Sequence, residues 1–289
     1  MAYTALQLAE AFLKAGELHD ALDALNQHLS TQPDDHDVLR LRANVLARLP
    51  EQAQAALDDL ARMPHLTAED WMLRAQLLER LDDIAGAVAA LRAGVTAQPD
   101  DERLAERLVY TLHKYGEIPS ARQFVAEQLA QQPESWRWLQ WAGDLAVEAG
   151  EDAAAAIHYT TALTVLEARY PIDTTHPARV MQESVHSEAA SLTVLGAYAR
   201  LRLARAALFM RLGDDAGAEA DYAVAMRLIP GDPTIAFNRG LLAARRGDLA
   251  QAVGLCQQGW DGATESVRAV LRADLDAPRY ADVRARLTL

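Results

Sequence analysis

A chain of 289 residues that is 51% hydrophobic can bury a substantial core, and its net charge of −13 argues against a nucleic-acid backbone or an anionic membrane as partner. Its one cysteine, Cys256, excludes an internal disulfide and every paired-cysteine zinc motif. No run of about 18 apolar residues offers a membrane span, and the first residues, Met-Ala-Tyr-Thr-Ala-Leu-Gln, lack a basic and a long apolar signal region, so the expected compartment is the cytoplasm.

In chain order, the sequence falls into units of 34 residues or close to it. The first, about 2–35, carries Ala9, Gly16, Ala21, Leu25 and Pro33. The second, about 36–67, is two residues short; it keeps Ala43 and Leu46 but has Pro50 where a glycine turn would sit. The third and fourth, residues 68–135, are the clearest pair. Ala87 and Ala121 lie 34 residues apart, as do Pro99 and Pro133, with Trp71, Ala75, Leu91, Gly94, Gly116 and Val125 also in register. The fifth starts near Trp136 and contains Gly143, Gly150, Ala155, Tyr159 and Ala162.

Residues 170–198 break the period. Tyr170-Pro171 and Thr174-Thr175-His176-Pro177 predict a loop to about His176 and a helix from Pro177. Apolar spacing then continues toward Leu212, as one long helix or as a short helix followed by the first helix of unit six. The sixth unit, about 199–232, has Ala206, Gly213, Ala218, Tyr222, Ala225 and Pro230; the seventh, about 233–262, has Gly240, Gly247, Ala252 and Gly259. The tail, 263–289, keeps an apolar pattern through Val267, Val270, Leu271, Leu275, Tyr280, Val283 and Leu287, with arginines between, as suits a solubilising cap.

The punctuation has a physical reading. Gly16, Gly116, Gly150, Gly213 and Gly247 are each followed at once by Glu or Asp. A glycine in the left-handed conformation ends helix A of a hairpin, and the acid meets the positive start of helix B. Asp35, Asp101 and Asp232, close after prolines, stand where helix A caps belong. Small residues are expected to face each other where the two helices approach: Gly143 with Ala155, Ala206 with Ala218, and Gly240 with Ala252.

These residues resemble the tetratricopeptide-repeat pattern over nearly the whole chain, in about seven units. The resemblance implies an all-α, right-handed solenoid of antiparallel helix hairpins. Units one to five would fill 1–169, an insertion 170–198, units six and seven 199–262, and capping helices 263–289. It further implies that helix A of each unit lines a concave groove that holds a peptide or a segment of a partner protein.

Groove positions implied by the resemblance are Arg40, Asn44 and Arg48 in unit two; Met72, Gln76, Glu79 and Arg80 in unit three; Arg103, Glu106, Tyr110, His113 and Lys114 in unit four; and Arg137, Gln140 and Asp144 in unit five. Arginine pairs bidentately with carboxylates, so Arg40, Arg80 and Arg103 are expected to steer acidic groups. In units six and seven, Leu203, Ala207, Met210, Phe237 and Leu241 form an apolar stripe edged by Arg200, Arg211 and Arg245. Met210, Phe237 and Leu241 would anchor apolar groups, unless the insertion or the tail covers them. Trp136, Trp138 and Trp141 are read as core, and Cys256 as a small buried residue of helix B.

The sequence holds no Gly-rich phosphate loop and no His-Glu-x-x-His. Glu183 and His186 make a single Glu-x-x-His, whereas a di-iron bundle needs two plus further glutamates. No cofactor, metal or catalytic residue is therefore expected. The reading is a non-enzymatic adaptor whose partner is a protein segment with acidic groups, or a second copy of the chain. The alternative is a regulatory subunit that clamps a catalytic or effector protein.

Overall fold

The computed structural model of the protein describes residues 4–170, 172 and 188–289. Its fold class is all-α, a helical solenoid of stacked hairpins; among the described residues there are sixteen α-helices and no strand. It divides into two compact units, Met1–Ala121 and Arg122–Leu289.

The first unit holds α1 (Ala5–Ala15), α2 (Leu18–Thr31), α3 (His36–Leu46), α4 (Ala53–Ala61), α5 (Ala68–Arg80), α6 (Ile84–Ala97) and α7 (Glu102–Lys114). Odd and even numbers are helices A and B of successive hairpins. Helix α8 (Ile118–Gln131) contains the boundary. Ala9, Ala21, Ala43, Ala56, Ala75 and Ala87 are all fully buried, which is why alanine recurs there: a larger side chain would hold the helices apart.

The turns follow the glycine expectation. Gly16, Gly116, Gly150, Gly213 and Gly247 all have positive φ, between 72° and 84°. The acid that follows behaves differently by type. Asp214 and Asp248 accept backbone N–H bonds from Gly217 and Gln251, at 2.9 and 3.0 Å, and so cap helix B. Glu17 and Glu151 make no such side-chain bond. The extra methylene carries the Glu151 carboxylate instead to Arg122, at 2.7 Å. Asp35, Asp101 and Asp232 each cap a helix A, accepting from Val38, Arg103 and Thr234.

The third repeat lacks the glycine. Asp82 adopts φ 61° in its place, and the N–H groups of Asp82 and Asp83 reach back to the carbonyls of Glu79 and Leu78 as in the glycine turns. A residue with a Cβ is strained there. Asp82→Gly is expected to stabilise the chain by up to about 1 kcal/mol, read from the midpoint of urea unfolding. An unchanged or lowered midpoint would show that the Asp82 side chain compensates for the strain.

The second unit holds α9 (Trp136–Glu148), α10 (Asp152–Arg169), α11 (Glu188–Leu212), α12 (Asp215–Leu228), α13 (Pro233–Arg245), α14 (Leu249–Gly262), α15 (Glu265–Leu275) and α16 (Ala281–Arg284), with a 3-10 turn over Pro278–Tyr280. Helix α10 has 18 residues where α12 and α14 have 14, and α11 has 25. The lengthened pair buries itself: Leu163 and Leu166 of α10 share a core with Val194, Ala197, Tyr198 and Leu201 of α11. The helix start expected at Pro177 and the Glu183–His186 pair lie outside the described residues.

The small-residue pairs are met in part. Ala206 and Ala218 are fully buried in one core. A Cβ on Gly240 would lie 2.5 Å from Cys256 Sγ and 2.9 Å from the Ala252 carbonyl oxygen, so backbone meets backbone as expected. Gly143 is a correction. Its nearest neighbour is the ring of Tyr159, 2.3 Å from where a Cβ would stand, rather than Ala155. The glycine makes room for an aromatic ring whose hydroxyl donates to Asp144 at 2.5 Å.

Candidate partner-binding surfaces

In the first unit three of the expected groove arginines, Arg40, Arg80 and Arg103, are engaged within the chain. Arg40 Nε donates to both carboxylate oxygens of Asp70, at 2.9 and 3.2 Å. Asp70 is buried and also closes the capping box of α5 with Thr67. Arg80 donates to the carbonyls of Ala47, Leu49 and Pro50. The second repeat has no glycine turn, so an arginine of the third repeat satisfies its orphan carbonyls. Arg103 is bound by Asp101 at 2.6 Å and Glu69 at 2.7 Å. None of the three is a free cation, so an acidic partner would have to displace an existing contact.

The other candidates vary. Arg48 and Gln76 are exposed, Met72 is half-buried, and the exposed Asn44 donates to the Arg40 carbonyl at 2.9 Å. Tyr110 is exposed with Arg107 over its ring. In the second unit, Arg137 lies over the Trp136 ring, 4.8 Å from its centroid.

Glu79 is a hub that the sequence did not reveal. It accepts from Arg107 at 2.8 Å and Lys114 at 2.7 Å, and from Thr111 and Tyr115 at 3.3 Å, joining helix α5 to α7 and its following turn. Burial opposes its charge, but the Lys114 hydrogen bond and the charges of Arg107 and Lys114 outweigh it and hold the carboxyl below its usual range. A folded-state pKa that is lowered stabilises the fold above the unfolded value, about 4.3 for glutamate, and that contribution is lost as pH falls through the folded value. Wild type should therefore lose more stability than Glu79→Gln across that acid window, measured by urea unfolding at stepped pH. Parallel profiles would mean that Glu79 is as well solvated in the folded chain as in the unfolded one.

In the second unit the apolar stripe is not exposed. Phe237 is 0% and Leu241 3% accessible. They share a core with Leu271, Leu275, Tyr280 and Val283, so the tail covers the stripe and neither residue is open to anchor a partner. This corrects the expectation for Phe237 and Leu241; Met210 remains half-buried. Trp136 and Trp138 are buried, and Cys256 is buried with its thiol pushed up to about 12 by desolvation, far from reactive.

The tail does not close the face entirely. An open cavity of about 450 Å³ remains between α11, α13 and the tail. Its floor includes Ala207, Met210 and the edge of Leu241, and its polar wall includes Arg211, Asn238 and Arg245, all from the two helices A. Helix α15 and the 3-10 turn complete the other side. Tyr222, at the back, is 1% accessible, and burial raises its hydroxyl pKa well above the ordinary value. Sequence reading placed Met210, Leu241, Arg211 and Arg245 together; it missed that the tail supplies the opposite wall.

Among the described residues, no helix is long and apolar enough to cross a membrane. Tetratricopeptide repeat models match residues 4–45 and 68–111, and a second such model matches 201–263, together just over half of the chain. No curated protein matches by sequence. Among solved structures, the C-terminal part of a TPR repeat-containing protein from Cytophaga hutchinsonii superposes with a TM-score of 0.59 at 13% identity, covering 95% of this chain and 97% of that one. A tetratricopeptide repeat protein from Parabacteroides merdae gives 0.51 at 14% identity, covering 97% of each. At these identities the likeness is one of fold.

Proposed function

The chain belongs to the tetratricopeptide-repeat family, and on that premise we propose that it is a non-enzymatic scaffold holding a segment of a partner protein against its helix A faces. The family's fold is in general an interaction fold rather than a catalytic one. The observation that carries the reading is the open cavity on the helix A side of α11 and α13: an apolar floor beside arginines and an asparagine suits a peptide better than bulk water.

Site-directed photo-cross-linking tests this. The chain has only two lysines, Lys14 and Lys114, so amine cross-linkers would sample little of it. A photo-reactive residue would be placed at Gln76 of α5 or Asn238 of α13, and for comparison at Arg92 of α6 or Gln258 of α14. The full chain would then be exposed to extract of its native host. Helix A positions should trap a protein that helix B positions do not. Trapping from helix B alone, or none at all, would defeat the scaffold reading, as would turnover by the purified chain in an esterase or phosphatase panel.

A further inference from the structure

We infer that the cavity of the second unit is the recognition pocket for an acidic segment of the partner, taking one apolar side chain onto the floor at Ala207 and Met210 and an adjacent carboxylate onto Arg279. The inference rests on the scaffold reading, which already points to this cavity, and adds the chemistry of the occupant and a binding role for the tail. A dry cavity of about 150 Å³ holds a benzene ring. At about 450 Å³ this one has room for an aromatic or long aliphatic side chain and for the backbone that carries it. The tail contributes Ala273 and Ala277 to the lining, and their small size leaves the mouth open.

The charges choose the partner's sign. Arg211 is held by two bonds to Asp152, each 2.7 Å. Arg245 donates to the Met210 carbonyl at 2.7 Å and lies 3.0 Å from Asp215. Arg279, exposed on the tail, has no carboxylate partner among the described residues; its one contact is the Tyr280 ring, 5.7 Å away. The only acid in the lining is Asp274, one exposed carboxylate against the three arginines Arg211, Arg245 and Arg279. A chain of net charge −13 thus presents an arginine with unspent hydrogen-bonding capacity beside an apolar floor.

The test uses the full chain and three pools of fluorescein-labelled dodecapeptides, read by fluorescence anisotropy at physiological salt. One pool fixes Glu-Phe-Glu at the centre, the second Lys-Phe-Lys, and the third Glu-Ser-Glu. The first pool should bind at least about tenfold tighter than either other, a difference of about 1.4 kcal/mol. Arg279→Glu should erase the preference for acid, and Ala273→Trp, at an exposed helix position, should block all three pools. Circular dichroism melts would confirm that both variants fold. Equal binding of the three pools, no binding of any, or indifference to Arg279→Glu overturns the inference. The scaffold reading is judged separately by the cross-linked protein. If that protein is still trapped at full strength by Arg279→Glu and Ala273→Trp, the scaffold stands and this pocket assignment falls.

Discussion

Phe237→Ala is expected to lower the stability of the second unit by about 3–5 kcal/mol, and to affect partner binding only through the fraction of unfolded chain. Phe237 occupies a helix A position from which a groove side chain would project, yet it is fully buried. Its surroundings explain why. A Cβ on Gly259 of α14 would stand 2.7 Å from Phe237 Cβ and 2.8 Å from its backbone nitrogen, so α13 and α14 touch backbone to backbone here. Cys256 Sγ lies 3.6 Å from the Phe237 carbonyl oxygen. With the helices this close and the tail packed on the far side, the structure has little freedom to collapse into the vacated space. The residual cavity adds to the lost transfer energy. Urea unfolding followed by circular dichroism reads the loss, and hydrogen exchange should place the weakened amides in α13, α14 and the tail. A folded Phe237→Ala protein that has lost its partner would return Phe237 to the binding surface.

What the sequence disclosed depended on how local the physics was. The left-handed turns at Gly16, Gly116, Gly150, Gly213 and Gly247 were legible because φ > 0 is a demand on one residue. Asp82 meets the same demand without glycine, and nothing local marks it. Caps at Asp35, Asp101 and Asp232 were legible because their hydrogen bonds span two or three residues. The fate of the Met210–Phe237–Leu241 stripe was not, because it depends on where a tail some 30 residues further on comes to rest. Its amphipathic pattern showed that it packs, not upon what. The intramolecular partners of the arginines were not legible for a related reason. Arg40, Arg80 and Arg103 occupy groove positions by register, but their partners Asp70, Leu49 and Glu69 come from other hairpins or turns. A 34-residue repeat read one unit at a time does not show contacts between units.

Asp221→Asn should be the other severe lesion, costing about 3–5 kcal/mol. Asp221 of α12 is 1% accessible and takes two arginines of α11. Arg202 Nη1 donates to Oδ1 at 2.6 Å, and Arg205 donates from Nε to Oδ2 at 2.7 Å and from Nη2 to Oδ1 at 2.8 Å. The arginines then reach α10: Arg202 to Glu167 at 2.6 Å and Arg205 to Thr160 at 3.0 Å. One carboxylate therefore anchors a network that ties the α11–α12 hairpin to the hairpin before it. The earlier Arg42–Asp59 pair, at 2.6 Å between α3 and α4, repeats the Arg205–Asp221 arrangement in the first unit. Asparagine has the shape of aspartate but removes the charge and turns an N–H₂ donor toward guanidinium donors. Arg205, largely buried, is then left without a counter-ion and Arg202 keeps only the half-exposed Glu167, and that uncompensated charge, rather than the net worth of the bridge, sets the cost. The triple change Arg202→Met, Arg205→Leu, Asp221→Leu removes both signs together and should cost far less than the single one. Urea midpoints of the two proteins decide the matter. A single variant no less stable than the triple would mean that water reaches the guanidinium groups once the carboxylate is gone, and that the hairpins are held here by packing alone.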